Sequence, residues 1–167
     1  IISWFCAFAV HIVAQQISAI AVAEPRPDYA DRCQVNDAGE CTGNTDDGLN
    51  SFFSGHASSS MLSAVYSSIY ILWITYVRQM AHGGRLPLYD PRKTWRDRLR
   101  HEFIHGTVMY LVVIQLGFAW FIGVTRIIDN RHHIWDITCG LFVGAIVAAF
   151  FSLHAIAALP MMPKKES

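Results

Sequence analysis

Four stretches of this chain, residues 1–23, 54–77, 105–124 and 137–159, contain no Asp, Glu, Lys or Arg, and this spacing of charge limits the folds open to it. As a helix rising about 1.5 Å per residue, the first stretch reaches roughly 34 Å, enough to cross a hydrocarbon layer of ~30 Å. The apolar share of 53% and mean hydropathy of +0.29 point the same way, since water-soluble domains run nearer ~45–50% even with glycine counted. A secretory signal peptide would open on basic residues and have a shorter apolar core than residues 1–23. The expected fold is all-α: a polytopic membrane helix bundle with four transmembrane helices in one domain. Disorder is excluded by the hydropathy. Thirteen Lys plus Arg against thirteen Asp plus Glu leave no basic field for a nucleic-acid backbone.

Lys and Arg outside the spans set the expected orientation. Arg78, Arg85, Arg92, Lys93, Arg96, Arg98 and Arg100 lie between spans two and three, and Lys164 and Lys165 lie in the tail. These belong to the cytoplasmic side, where residues 78–104 read as a solvated basic loop near anionic lipid. The other face has Arg26, Arg32, Arg126 and Arg131 among Glu24, Asp28, Asp31, Asp37, Glu40, Asp46, Asp47 and Asp129. Residues 24–50, rich in Asp, Gly and Asn, read as a long loop on that extracytoplasmic face. Cys33 and Cys41 both fall in it, on the oxidising side, where they are able to pair; Cys6 and Cys139 lie in spans as packing residues. No paired CxxC or HExxH spacing implies a metal, and no cofactor is expected.

Polar side chains at a bilayer are costly, so those present tend to mark a site. Three clusters share the extracytoplasmic face: Arg26-Pro27-Asp28 after the first span, Ser54-Gly55-His56 opening the second, and Thr125-Arg126 followed by Asp129, Arg131, His132, His133 and Asp136 between the third and fourth. Arg26 and Arg126 offer planar forks that match phosphate oxygens. Ser54 and Gly55 at a helix start offer a hydroxyl, backbone N–H groups and the positive end of the helix dipole. His56 and His132 supply a proton carrier and a nucleophile near neutral pH. His132 and Asp136, four residues apart, share a helical face, so the carboxylate is expected to orient the ring. Singly, each cluster has a plainer use as a snorkelling anchor, a helix cap or interfacial polarity. Together they make complementary parts of a phosphate site.

These residues resemble the type 2 phosphatidic acid phosphatases, or lipid phosphate phosphatases, of the vanadium haloperoxidase-like superfamily, whose pattern is K-x6-R-P, P-S-G-H and S-R-x5-H-x3-D. Residues 25–33, 51–58 and 125–136 are similar to the three motifs, and the likeness extends over nearly the whole chain, 1–167. Family members usually have six spans, so the resemblance implies an N-terminally truncated chain holding the last four. It implies that His132 attacks phosphorus to form a phosphohistidine with Asp136 orienting it, that His56 protonates the leaving oxygen and later activates water, and that Arg26, Arg126, Ser54 and the Gly55 amide hold the phosphoryl oxygens. Phe53 stands for the motif proline, Thr125 for the serine and Ala19 for the lysine. Losing a preorganised donor costs roughly 10²- to 10³-fold in rate, so a weakened enzyme is expected unless Arg131 or Arg32 substitutes; Glu24 nearby worsens the field.

The resulting expectation is an integral-membrane, metal-independent phosphatase. Its substrates would be lipid phosphomonoesters such as phosphatidate, lysophosphatidate or sphingosine phosphate, or diacylglycerol pyrophosphate, met within the bilayer. Three alternatives stay open: phospho-headgroup transfer between lipids, a catalytically silent relative that binds lipid or acts as a scaffold, and a bis-histidine haem protein using His11, His105 or His154.

Overall fold

The computed structural model describes residues 1–43, 48–77 and 94–158. Helix α1 is Ile2–Val22, the short α2 is Tyr29–Cys33, and α3 is Gly55–Leu72, continued by a π-helical turn over Trp73–Val77. Helix α4 is Trp95–Ile128 and α5 is Ile134–Ala157. Four of these helices are long and apolar enough to cross a membrane. Their large apolar side chains face outward: Phe5, Ile17, Phe103, Phe118, Phe142 and Phe150 are all exposed. The inner positions are small or polar, among them Ala7, Ser58, Gly144 and Ala148. That arrangement is inverted relative to a water-soluble bundle and suits lipid as the surrounding medium.

Local signals set the ends. At the end of α1, Ala23 takes a left-handed conformation and donates its N–H to the Ala19 carbonyl, and Pro25 follows, a common way to stop a helix. Ser54 caps α3 and Thr94 caps α4 by accepting N–H bonds from Ala57 and Asp97. His133 and Asp136 form a reciprocal capping box at the start of α5.

Two expectations need correction. Helix α4 runs 34 residues and begins at Trp95, so Arg96, Arg98 and Arg100 sit on a helical extension, not in a loop. The Thr94 cap, with Asp97 in the first turn, gives that extension a favourable start outside the bilayer. Arg78, Arg85, Arg92, Lys93, Lys164 and Lys165 lie outside the described residues, as do Asp46 and Asp47. The connection from α1 to α3 is also less irregular than its composition implies, for it holds α2, a Val35–Cys41 bridge and a Cys33–Cys41 disulfide. Cys6 is exposed on the outer surface of α1, and Cys139 is half-buried on α5.

Helices α3 and α5 form the tightest pair. Gly140, Gly144, Ala148 and Ser152 recur every fourth residue along α5, and all are buried. A methyl group on Gly140 would lie 2.8 Å from the Ser54 carbonyl oxygen, and one on Gly144 would lie 2.2 Å from that of Ser58. The backbones therefore meet with no side chain between them, the contact that small residues at fourfold spacing permit in a membrane. A hydrogen bond from the Ser54 N–H to the Asp136 carbonyl (3.2 Å) fixes the register at one end. The C-termini of α1 and α4 and the N-termini of α3 and α5 all lie at that end, bringing the three polar clusters together.

Candidate active site

At this end a cavity of about 280 Å³ is lined by Gln15, Arg26, Asn50, Gly55, His56, Ser59 and His132. One water occupies about 30 Å³, so the space accepts a tetrahedral anion and part of what it is attached to. Arg26 enters from the loop after α1, held by its N–H on the Gly48 carbonyl (2.8 Å) and its own carbonyl accepting from the Tyr29 N–H (2.9 Å). Its Nε is buried without a hydrogen-bond partner, and it forms no ion pair among the described residues. Gly55 and His56 occupy the first turn of α3, whose backbone N–H groups lack helical partners.

His132, 6% exposed, sits in the loop between α4 and α5. Its Nδ1 lies 2.8 Å from the Ser51 carbonyl. A carbonyl only accepts, so Nδ1 carries the proton and Nε2 holds the free electron pair. Burial holds this imidazole below the ordinary histidine range. Arg26 and His56 add repulsion in the same sense, while the Ser51 carbonyl and the Asp136 carboxylate pull the other way. The neutral ring is the nucleophilic form.

The expected His132–Asp136 hydrogen bond is replaced by a less direct arrangement. The Asp136 carboxylate stands 3.7 Å from Nδ1, beyond hydrogen-bonding reach. Its Oδ2 instead accepts from the Ser51 hydroxyl (2.5 Å) and the His133 N–H (2.9 Å). Ser51, fully buried, thus connects the two: its hydroxyl donates to Asp136 and its carbonyl accepts from His132.

Arg26, Gly55, His56 and His132 meet around the cavity, and three other expected residues do not line it. Ser54 is fully buried and caps α3 through Ala57. Arg126 pairs with Asp129 at 2.8 Å, and Asp136 stands behind His132. The suggested substitutes for the motif lysine are also engaged, for Arg32 (2.7 Å) and Arg131 (3.1 Å) both contact Asp28. Ala19 is 3% exposed and does not face the cavity. Glu24 is turned aside, accepting from Trp135 Nε1 at 2.8 Å, while His133 stacks on Trp135 with its Nε2 3.2 Å from the Pro25 carbonyl. These contacts fasten the loop after α1 to the start of α5. His11 bonds the Ser58 hydroxyl, and His105 faces His101 one turn away on the same helix. Among the described residues, no three His, Cys, Asp or Glu side chains stand close enough to hold a metal ion.

Ser51, Gln15, Asn50 and Ser59 belong to the site although none is among the residues expected from the sequence. For Gln15 a signal existed, an uncharged polar side chain inside an apolar span. For Ser51 there was none, because its carbonyl does half the work and carbonyl direction leaves no mark in a sequence.

The model of the PAP2 superfamily matches residues 2–158. Lipid phosphate phosphatase 2 of Arabidopsis thaliana is 30% identical over 146 residues, covering 80% of this chain and 43% of that protein. Phospholipid phosphatase 2 of Rattus norvegicus is 28% identical, covering 78% and 40%. The probable diacylglycerol pyrophosphate phosphatase 1 of Schizosaccharomyces pombe is 27% identical, covering 77% and 43%. The chain thus spans less than half the length of these relatives. No solved structure matches the chain significantly.

Proposed function

The chain belongs to the PAP2 superfamily, and from that premise we propose that it is an integral-membrane lipid phosphate phosphatase working through a phosphohistidine. The observation that carries this reading is the convergence of Arg26, the Gly55 turn, His56 and His132 on one cavity. His132 Nε2 attacks phosphorus, forming a P–N bond as the P–O bond to the lipid alcohol breaks, and protonated His56 gives its proton to the leaving oxygen. Water then attacks the phosphohistidine, His56 takes the water's proton, and inorganic phosphate leaves with the P–N bond broken. The Arg26 guanidinium and the N–H groups at Gly55 hold the non-bridging oxygens. Arg126 joins them by exchanging Asp129 for the phosphoryl group. A loose phosphoryl transition state is stabilised mainly by positioning and positive charge, which the protein's own cations supply in this scheme. Asp136, through Ser51, steadies the positive charge that develops on His132.

The acidic loop and the Cys33–Cys41 disulfide lie at the cavity end, and Arg96, Arg98 and Arg100 at the opposite end of α4. Both features support an extracytoplasmic active site, with lipid entering sideways from the outer leaflet. A second reading, a catalytically silent relative, is favoured by Ala19 and by the engagement of Arg126, Arg32 and Arg131 with acidic partners.

The deciding experiment offers phosphatidate, lysophosphatidate, sphingosine phosphate and diacylglycerol pyrophosphate to the detergent-purified protein in EDTA. Inorganic phosphate should be released, and vanadate should block its release. A new phospholipid in place of phosphate identifies a transferase, and no turnover of any of the four identifies a silent relative. The same assay gives a pH test. The nucleophile must be neutral and its pKa lies below the usual ~6.5, so kcat/KM should hold as pH falls past 6.5 and drop only at lower pH. An acid limb centred above pH 6.5 contradicts this assignment of His132.

A further inference from the structure

The side of the cavity formed by α1 is supplied by a residue outside the three motifs. Gln15 is half-buried on this apolar helix, one turn before Ala19, and it lines the cavity. Its carboxamide rests against the first residue of α3: a Cβ built on Gly55 would lie 3.6 Å from Gln15 Cδ and 3.9 Å from Nε2. This is where the unsatisfied N–H groups of the helix start favour an anion. The Gln15 amide has no hydrogen-bond partner among the described residues and opens on the cavity, so its N–H groups are available to a ligand there. Of the lining side chains, only Arg26 carries a permanent positive charge.

We propose that Gln15 is a phosphoryl-binding residue, its side-chain amide donating to a non-bridging oxygen of the substrate beside Gly55. The inference rests on the phosphatase reading for the identity of the ligand, and on geometry for the contact. A carboxamide gives the α1 side a neutral donor where the family pattern has an ammonium one turn further along. The position facing the cavity is 15, and position 19 is packed away.

The test measures equilibrium binding of orthovanadate to the purified protein, which needs no turnover. Gln15→Leu should weaken vanadate binding about tenfold, the size expected for one hydrogen bond to a charged group. Gln15→Glu, of the same shape, should weaken it further by setting a carboxylate against the anion. Gln16→Leu, one residue along and exposed, should leave the dissociation constant unchanged. Equal affinity in wild type, Gln15→Leu and Gln15→Glu overturns the proposal, as does failure of the wild type to bind vanadate. Weakened binding in the Gln15 variants of a protein that hydrolyses no lipid phosphate keeps this assignment and removes the phosphatase reading. Unchanged binding with intact hydrolysis does the reverse.

Discussion

His132→Ala should reduce lipid phosphate hydrolysis by on the order of 10⁴-fold or more, the scale seen when a covalent nucleophile is removed. No other cavity-lining side chain is equally placed to replace it. His56 is exposed and no bond fixes its ring among the described residues, whereas His132 is buried with Nδ1 on the Ser51 carbonyl and Nε2 free. The variant loses one hydrogen bond from a loop still held by the capping box and by the Trp135–Glu24 contact, so its thermal midpoint should stay near that of the wild type. A companion experiment separates the two histidines. With an activated aryl phosphate, whose leaving group needs no proton, His56→Ala should still form the phosphoenzyme but hydrolyse it slowly, so quenching in alkaline detergent, where the acid-labile P–N bond survives, traps labelled protein. His132→Ala should trap none. Residual turnover above one per cent in His132→Ala would remove the covalent step from the scheme.

Gly144→Ala should destabilise the protein by about 3 kcal/mol or more, at the upper end for overpacking. The added methyl would lie 2.2 Å from the Ser58 oxygen, 3.0 Å from its carbonyl carbon and 3.1 Å from the Leu62 nitrogen. All three are backbone atoms, so no side-chain rotation relieves the clash and the helices must separate. Thermal unfolding in detergent measures the effect, and activity should fall with it because His56 lies on α3 and His132 in the loop that leads into α5, so parting the helices separates them. Gly106→Ala and Gly117→Ala on α4 are the controls. Nothing lies within 4 Å of a Cβ at either position, and alanine in place of glycine inside a helix gains up to ~1 kcal/mol. One chemical change is therefore expected to have opposite signs at sites that the sequence does not distinguish.

That contrast marks where the sequence stops being legible. The four spans could be read because lipid does not solvate charge, so gaps between charged residues approximate the helices. Helix α4 was the exception: Arg96, Arg98 and Arg100 looked like loop, yet a capped helix continues into water at little cost. Arg26, Gly55, His56 and His132 could be read because each motif ends at the same face of the bundle. The partners of the remaining charges could not, because a sequence gives the charges and leaves their pairing to geometry. Asp28 engages both arginines suggested as stand-ins for lysine, and Asp129 engages Arg126. Asp136 and His132 have the spacing of a direct pair, but His132 lies before the first turn of α5, so helical spacing does not apply and Ser51 fills the gap.

The direct backbone contact between α3 and α5 bears on how the protein behaves in different membranes. His56 rides on one of these helices and His132 stands just before the other, and no compressible layer separates the two main chains. Their spacing is therefore an internal dimension, set by peptide geometry and indifferent to how thick or fluid the surrounding bilayer is.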